Sequence, residues 1–102
     1  MVIRIIMIKL TDEFATEEWR EAIARSAQEN LPKVPGVQAL HLAMPADEKT
    51  LGSWDLSAQI HFARIEDVGP YIQHPDHRSW VDGYLKPKTA ALKAWNVTPW
   101  KG

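Results

Sequence analysis

Two histidines and a tyrosine lie close together in the segment Tyr71-Ile72-Gln73-His74-Pro75-Asp76-His77. Proline suits the first position of a helix, because the amide hydrogen that it lacks would have no partner there. We therefore predict that His74 caps a helix beginning at Pro75 and that His77 is its third residue. The positive end of a helix disfavours an imidazolium ion, so His77 should be neutral near physiological pH and able to accept a proton.

Tyr71 is a candidate partner for His77 in acid–base chemistry. A phenol hydroxyl that reached the same pocket could orient a substrate oxygen or share its charge. The alternative interpretation is that the His-Pro segment only marks a helix boundary, with both imidazoles bonded to backbone groups. A metal site built from His74, Asp76 and His77 is not expected, because neighbouring side chains on a helix diverge and Asp76 suits the first helical turn.

The hydrophobic pattern predicts the elements that position these residues. Residues 2–10 are rich in β-branched and apolar side chains at both odd and even positions. This is typical of a strand that is buried on both faces of a sheet. A four-residue repeat from Trp19 to Leu31 predicts a helix capped by Thr16. Trp54 to Ala63 alternates apolar and polar residues, as in a strand with one polar face that includes Asp55. The other predicted elements are a strand over 37–44, a polar loop over 45–53, a helical segment over 66–73, a helix from Pro75 that stops before Pro87, and a last strand over 95–100.

This order of elements predicts an α+β fold. The order is strand, helix, strand, strand, helix, strand, which is the ferredoxin-like βαββαβ arrangement. In this fold the strands form a four-stranded antiparallel sheet, and both helices cover the same face of it. Residues 1–102 would form a single domain. The uncovered face is too apolar in part to remain fully wet, so a second copy of the chain is expected to cover it. The residues predicted on that interface are Ile5, Met7, His41, Ser57, Gln59 and His61.

The composition restricts the classes of partner. Twelve Lys and Arg residues against 13 Asp and Glu residues give a net charge of -1, which provides no electrostatic reason to bind nucleic acid or a membrane surface. The sequence has no cysteine, so disulfides and sulfur-based zinc sites are excluded. The apolar opening segment is too short to span a bilayer and lacks the features of a signal peptide, so a cytoplasmic location is predicted.

Several segments together resemble the stress-responsive A/B barrel, or Dabb, family of dimeric α/β barrel proteins. The most specific is the Tyr-x-x-His-Pro-x-His run at 71–77, and the resemblance spans essentially the whole chain. It implies a ferredoxin-like unit whose sheets meet face to face in a homodimer. The individually weaker segments are Lys9-Leu10, Val34-Pro35-Gly36-Val37, Trp54-Asp55-Leu56 and Phe62.

The resemblance includes polyketide cyclases of the olivetolic acid cyclase type, which perform an intramolecular aldol condensation without a metal or organic cofactor. It implies that His77 and Tyr71 are the catalytic pair and that the ligand is a small apolar or keto compound. His77 would take a proton from an activated carbon, and Tyr71 would stabilise the oxygen that gains charge. The pocket would lie between helices and sheet, with Arg4, Ile6, Ile8, Leu40, Ala58, His74 and Trp80 as the substrate-binding residues.

Arg4 departs from the family pattern, because many members carry a histidine at the matching position of the first strand. An arginine cannot act as a base, but it could hold a carboxylate or a thioester-linked phosphate. Two functions from different classes stay open. One is a cofactor-independent cyclase or lyase, and the other is a non-catalytic stress-responsive module that binds a small apolar molecule. A cofactor-free or haem-related monooxygenase of the wider superfamily is a more distant third.

Overall fold

A computed structural model describes residues 1–101, so Gly102, the last residue of the predicted domain, lies outside the described residues. Four strands form one antiparallel sheet in the order β2-β3-β1-β4, and most of the helical segments pack on one of its faces. This is the predicted ferredoxin-like α+β fold. The elements are β1 (Val2–Leu10), α1 (Glu17–Asn30), β2 (Ala39–Ala43), α2 (Glu48–Ser53), β3 (Leu56–Phe62), α3 (Val68–Gln73), α4 (Pro75–Trp80) and β4 (Thr89–Val97).

Both predicted helix caps are confirmed. The Thr16 hydroxyl accepts a hydrogen bond from the Trp19 amide at the start of α1. At the start of α4, His74 Nδ1 accepts a hydrogen bond of 3.1 Å from the Asp76 amide, and Pro75 occupies the first helical position. His77 is therefore the third residue of α4, where the sequence placed it.

Three predicted elements differ from the structure by more than two residues. The loop expected over 45–53 contains α2, because the Asp47 side chain caps it by accepting a hydrogen bond from the Thr50 amide. The last strand spans Thr89–Val97 rather than 95–100, because β4 pairs with β1 along almost its whole length. The helix from Pro75 is not uniform up to Pro87: a π-helical turn follows over Val81–Leu85 and a 3-10 turn over Lys86–Lys88.

Asp55 was expected on the polar face of the third strand, but it is fully buried, with 0% of its surface exposed. It precedes β3 and accepts a hydrogen bond of 2.8 Å from the Leu10 amide. Arg20 Nη1 lies 3.3 Å from its Oδ1 atom and Lys9 Nζ lies 3.6 Å from its Oδ2 atom. Asp55 therefore ties the end of β1 to α1, and two positive charges compensate its burial.

The strand register separates the two faces of the sheet. Arg4, Ile6 and Ile8 of β1 point toward the helices, together with Ala58 of β3 and Ala94 of β4. The opposite face includes Ile5 and Met7, as predicted. Its Met7 end lies beside α2, because Met7 and Thr50 line one small surface pocket. None of the helices in this range is both long enough and apolar enough to cross a bilayer.

Candidate functional site

A cavity of about 120 Å³ lies between the helices and the covered face of the sheet. Its walls come from all four strands on one side and from α1, α3, α4 and the π-helical turn on the other. Apart from the indole of Trp80, only three of the lining side chains carry polar atoms: Arg4, Tyr71 and His77. The cavity is therefore an apolar space with a few polar groups, which is the usual composition of a small-molecule site.

Most of the predicted site residues line this cavity. They are Arg4, Ile6, Ile8, Ala58, Tyr71, His77 and Trp80. Leu40 and His74 are not in the lining. Leu40 pairs with Ile60 in the sheet and packs against the core, while the His74 ring caps α4. The structure thus brings together the predicted acid–base pair and most of its predicted walls.

The His77 ring is fixed by a hydrogen bond of 2.9 Å between Nδ1 and the carbonyl oxygen of Ile72. A carbonyl oxygen only accepts, so Nδ1 must carry the proton and Nε2 of a neutral ring keeps its lone pair. The Ile72 carbonyl is available because it lies in the last turn of α3, where backbone oxygens lack helical partners. The end of α3 therefore selects the tautomer of His77 that can accept a proton.

The surroundings of His77 favour its neutral form. Burial is the main cause that lowers the pKa of the imidazole below its ordinary value. The positive charges of Arg4 and Arg78 lower this pKa further, whereas the hydrogen bond to Ile72 and the charge of Asp82 act in the opposite direction. The direction of this pKa shift agrees with the predicted neutral state of His77. Its leading cause is burial, whereas the prediction relied on the positive end of the helix.

Tyr71 is buried beside His77, with 1% of its surface exposed. The two ring centres lie 4.5 Å apart, and Tyr71 also packs edge-on against Phe62. Its hydroxyl is buried and has no hydrogen-bond partner among residues 1–101. Burial raises the pKa of Tyr71 to about 12, with the charge of Arg4 opposing the shift. The phenol is therefore a protonated donor with no protein acceptor.

Arg4 brings a positive charge to the same part of the cavity. It lies on β1 between Ile60 and Asn96 of the neighbouring strands, and its Nη1 donates a hydrogen bond of 3.0 Å to Asn96 Oδ1. Burial lowers the pKa of Arg4 from its ordinary value, but a guanidinium stays protonated in proteins. Among residues 1–101, no three His, Asp or Glu side chains are placed to hold a metal ion.

Some cavity residues were missed by sequence reasoning. Leu92 and Ala94 line it from β4, which the sequence placed too late in the chain. Trp80 was expected near a ligand, but its partner was not foreseen: the indole Nε1 donates a hydrogen bond of 2.9 Å to Ser26 Oγ of α1. Residues 89–94 mix apolar, polar and charged types without a clear alternation, so no local signal marked this part of β4.

Solved structures of the same fold include proteins with different descriptions. A protein of Arabidopsis thaliana is 16% identical, with a TM-score of 0.85 over 100% of this chain and 98% of that one. A dimeric ferredoxin-like protein of unknown function from Thermobifida fusca is 16% identical, with a TM-score of 0.79 over 96% of this chain and 90% of that one. The hydroxynitrile lyase from Passiflora edulis is 9% identical, with a TM-score of 0.80 over 99% of this chain and 94% of that one.

At these sequence identities the structural similarity shows the fold alone. Two other solved structures of this fold are described as putative antibiotic biosynthesis monooxygenases. No curated protein sequence matches the chain. The family model of the stress responsive A/B barrel domain, Dabb, matches residues 2–95, which is nearly the whole sequence. The chain belongs to the stress-responsive A/B barrel (Dabb) family.

Proposed function

We propose that this protein is a cofactor-independent lyase or cyclase that removes a proton from a carbon atom next to a carbonyl group, using His77 as the base. The observation that carries the proposal is the hydrogen bond from His77 Nδ1 to the Ile72 carbonyl, at 2.9 Å. It leaves Nε2 as the proton acceptor on a ring that faces an apolar cavity. Burial keeps this ring neutral, as a general base must be before it accepts a proton.

The proposed reaction begins when His77 Nε2 takes a proton from the activated carbon of a β-keto compound. The carbonyl oxygen of the substrate gains negative charge, and the Tyr71 hydroxyl donates a hydrogen bond to it. The resulting carbanion attacks a second carbonyl group of the same molecule and forms a carbon–carbon bond, as in an aldol cyclisation. The imidazolium then returns its proton to the new alkoxide, so the base is regenerated. The same steps in reverse break the bond and describe a lyase.

The proposal includes a homodimer formed through the uncovered face of the sheet. That face bears the predicted interface residues and also Trp95, which is 52% exposed in the single chain. The rings of His41 and His61 pack edge-on there, with their centres 5.1 Å apart. A large exposed aromatic side chain on an apolar sheet face favours an interface. The Thermobifida protein of the same fold is described as dimeric, which supports this part of the proposal.

The test is solvent deuterium exchange at the activated carbon of a short-chain β-keto thioester, followed by NMR. We expect His77→Gln to reduce the exchange rate above background by about 10²- to 10⁴-fold, which is the usual contribution of a general base. Arg25→Gln is the control, because Arg25 is exposed on α1 and lies outside both the cavity and the proposed dimer face. Exchange by His77→Gln at the wild-type rate would show that His77 is not the base.

A second function is favoured by the apolar character of the cavity, which suits a binding module without chemistry as well as an enzyme. A thermal-shift measurement separates the two, because a ligand that binds only the folded state raises the melting temperature. If keto compounds stabilise wild type and His77→Gln equally and neither protein accelerates exchange, the chain is a small-molecule binding module. If exchange depends on His77, it is an enzyme.

A further inference from the structure

Arg4 is a positive charge in an apolar cavity, and no carboxylate pairs with it among residues 1–101. The ion pairs that Lys and Arg form in that range use other cations: Lys9 and Arg20 with Asp55, Arg64 with Asp67, and Arg78 and Lys86 with Asp82. The hydrogen bond from Arg4 to Asn96 satisfies one of its five N–H donors and neutralises no charge. Arg4 is half-buried, and a guanidinium that loses part of its water without a counter-ion is stabilised when an anion binds beside it.

The polar groups of the cavity lie at one end of it. Arg4 and Ile8 face the cavity from the same strand, and four residues of β-strand separate them by about 13 Å. Tyr71 and His77 belong to the Arg4 end, because the Tyr71 ring packs against Phe62, which pairs with Val2 two residues before Arg4. The His77 ring lies 4.5 Å from that of Tyr71. At the other end, Ile8 pairs with Leu56 and Leu92, which are both apolar lining residues. The cavity is therefore amphipathic along the direction of β1.

The Tyr71 hydroxyl is a second, independent sign of a ligand at this end. It is a buried donor without a protein acceptor, in a side chain that is 1% exposed and lines the cavity. Leaving such a group unpaired is costly, so a ligand oxygen is the expected acceptor. Arg4 and Tyr71 together present N–H and O–H donors, and this pattern fits an anionic or partly anionic oxygen group.

We infer that Arg4 binds the carboxylate of a small monocarboxylic acid whose apolar part fills the rest of the cavity. The inference rests on the proposed function, since it places the reacting carbon of that acid beside His77 and Tyr71. A carboxylate fits better than a phosphate, because one guanidinium compensates one negative charge and the other donor here is a neutral phenol. The cavity volume of about 120 Å³ is close to that of a cavity that holds benzene, so the apolar part has about the size of one ring.

The experiment is isothermal titration calorimetry with phenylacetate and with phenylacetamide, which has nearly the same shape but no charge. We expect wild type to bind phenylacetate about ten- to one-hundredfold more tightly than phenylacetamide, the usual effect of hydrogen bonds to a charged group. Arg4→Gln should lose this preference and bind both compounds with similar affinity. Arg25→Gln, which removes an exposed arginine from α1, is the matched control and should bind as wild type does.

Several results would overturn the inference: equal affinities of wild type for the two compounds, no binding of either compound, an unchanged preference in Arg4→Gln, or tighter binding of phenyl phosphate than of phenylacetate. Arg4→Lys keeps the charge and should retain part of the preference, so it decides the question if Arg4→Gln does not fold. Failure of the proposed function is distinguishable, because phenylacetate binding requires no chemistry. If phenylacetate binding depends on Arg4 but deuterium exchange does not depend on His77, the carboxylate site is supported and the catalytic role of His77 is refuted.

Discussion

Replacing Tyr71 with phenylalanine should stabilise the fold and slow the reaction. The hydroxyl is buried without a protein partner, and such a group costs about 1–3 kcal/mol of stability relative to a satisfied one. Phenylalanine keeps the ring contacts with Phe62 and His77 and loses only the oxygen atom. After allowing for the small void that remains, we expect the free energy of unfolding to increase by about 1 kcal/mol. For a domain of this size that raises the melting temperature by about 4–8 °C.

The same substitution removes the proposed donor to the substrate oxygen, so the exchange rate of the β-keto thioester should fall by about 10²- to 10³-fold. Melting should be followed by calorimetry at one protein concentration, because dimer dissociation makes the melting temperature concentration-dependent. Tyr84→Phe is the matched control, since it removes a phenol oxygen from a half-buried ring outside the cavity. A lower melting temperature for Tyr71→Phe would refute the reasoning, because it would mean that the hydroxyl has a stabilising partner in the folded protein.

Three further perturbations test other parts of the molecule. In a pH–rate profile, the deuterium exchange activity should be lost as the pH falls through the pKa of His77, with a midpoint below about 6.5. Arg78→Gln should move that midpoint to higher pH, because it removes a nearby positive charge. Asp55→Ala should lower the free energy of unfolding by about 3 kcal/mol in urea denaturation, because it leaves two cations and one backbone amide without their buried acceptor. Trp95→Glu should convert the homodimer to monomers in analytical ultracentrifugation, whereas Ile65→Glu, an exposed site away from the sheet, should not.

Each of these expectations has a result that contradicts it. A midpoint that does not move in Arg78→Gln would show that this charge does not act on the catalytic imidazole. A stability change below about 1 kcal/mol for Asp55→Ala would place the carboxylate outside the stabilising network. A Trp95→Glu protein that stays dimeric would put the interface on another surface, and a wild-type protein that sediments as a monomer would remove the dimer from the proposal.

The fold could be predicted where the signals were local. Thr16 and His74 cap helices through hydrogen bonds to amides no more than three residues away. The neighbouring sequence is therefore enough to predict where these helices begin. β4 could not be placed in this way, because Thr89 to Lys93 has little strand propensity of its own. It is a strand because β1 supplies a partner for its backbone, and such long-range pairing overrides local preference.

Asp55 shows the same limit for a single residue. Alternation along the third strand predicted that it lay on the polar face, since Trp54 and Leu56 on either side are apolar. Its burial depends on the Leu10 amide and on the Arg20 side chain, which are distant in sequence and come together only in the folded chain. A charged residue next to an apolar strand is therefore ambiguous until its partners are known.

The convergence of Tyr71 and His77 depends on the break between α3 and α4. In a continuous helix, side chains six residues apart point in different directions, because each residue turns the helix by about 100°. His74 interrupts the helix with an extended backbone, φ -61° and ψ 136°, as expected for a residue before proline. The rings then lie 4.5 Å apart.

The same break also sets the chemistry of His77. If α3 continued as a regular helix, the Ile72 carbonyl would accept the amide of Asp76, four residues later. Because of the break, that amide donates to His74 Nδ1 instead, and the Ile72 oxygen is left to hold His77 Nδ1. One proline thus exposes the carbonyl, positions the imidazole and fixes its tautomer. This explains how a six-residue helix can position a base, although it is too short to hold its own geometry without tertiary contacts.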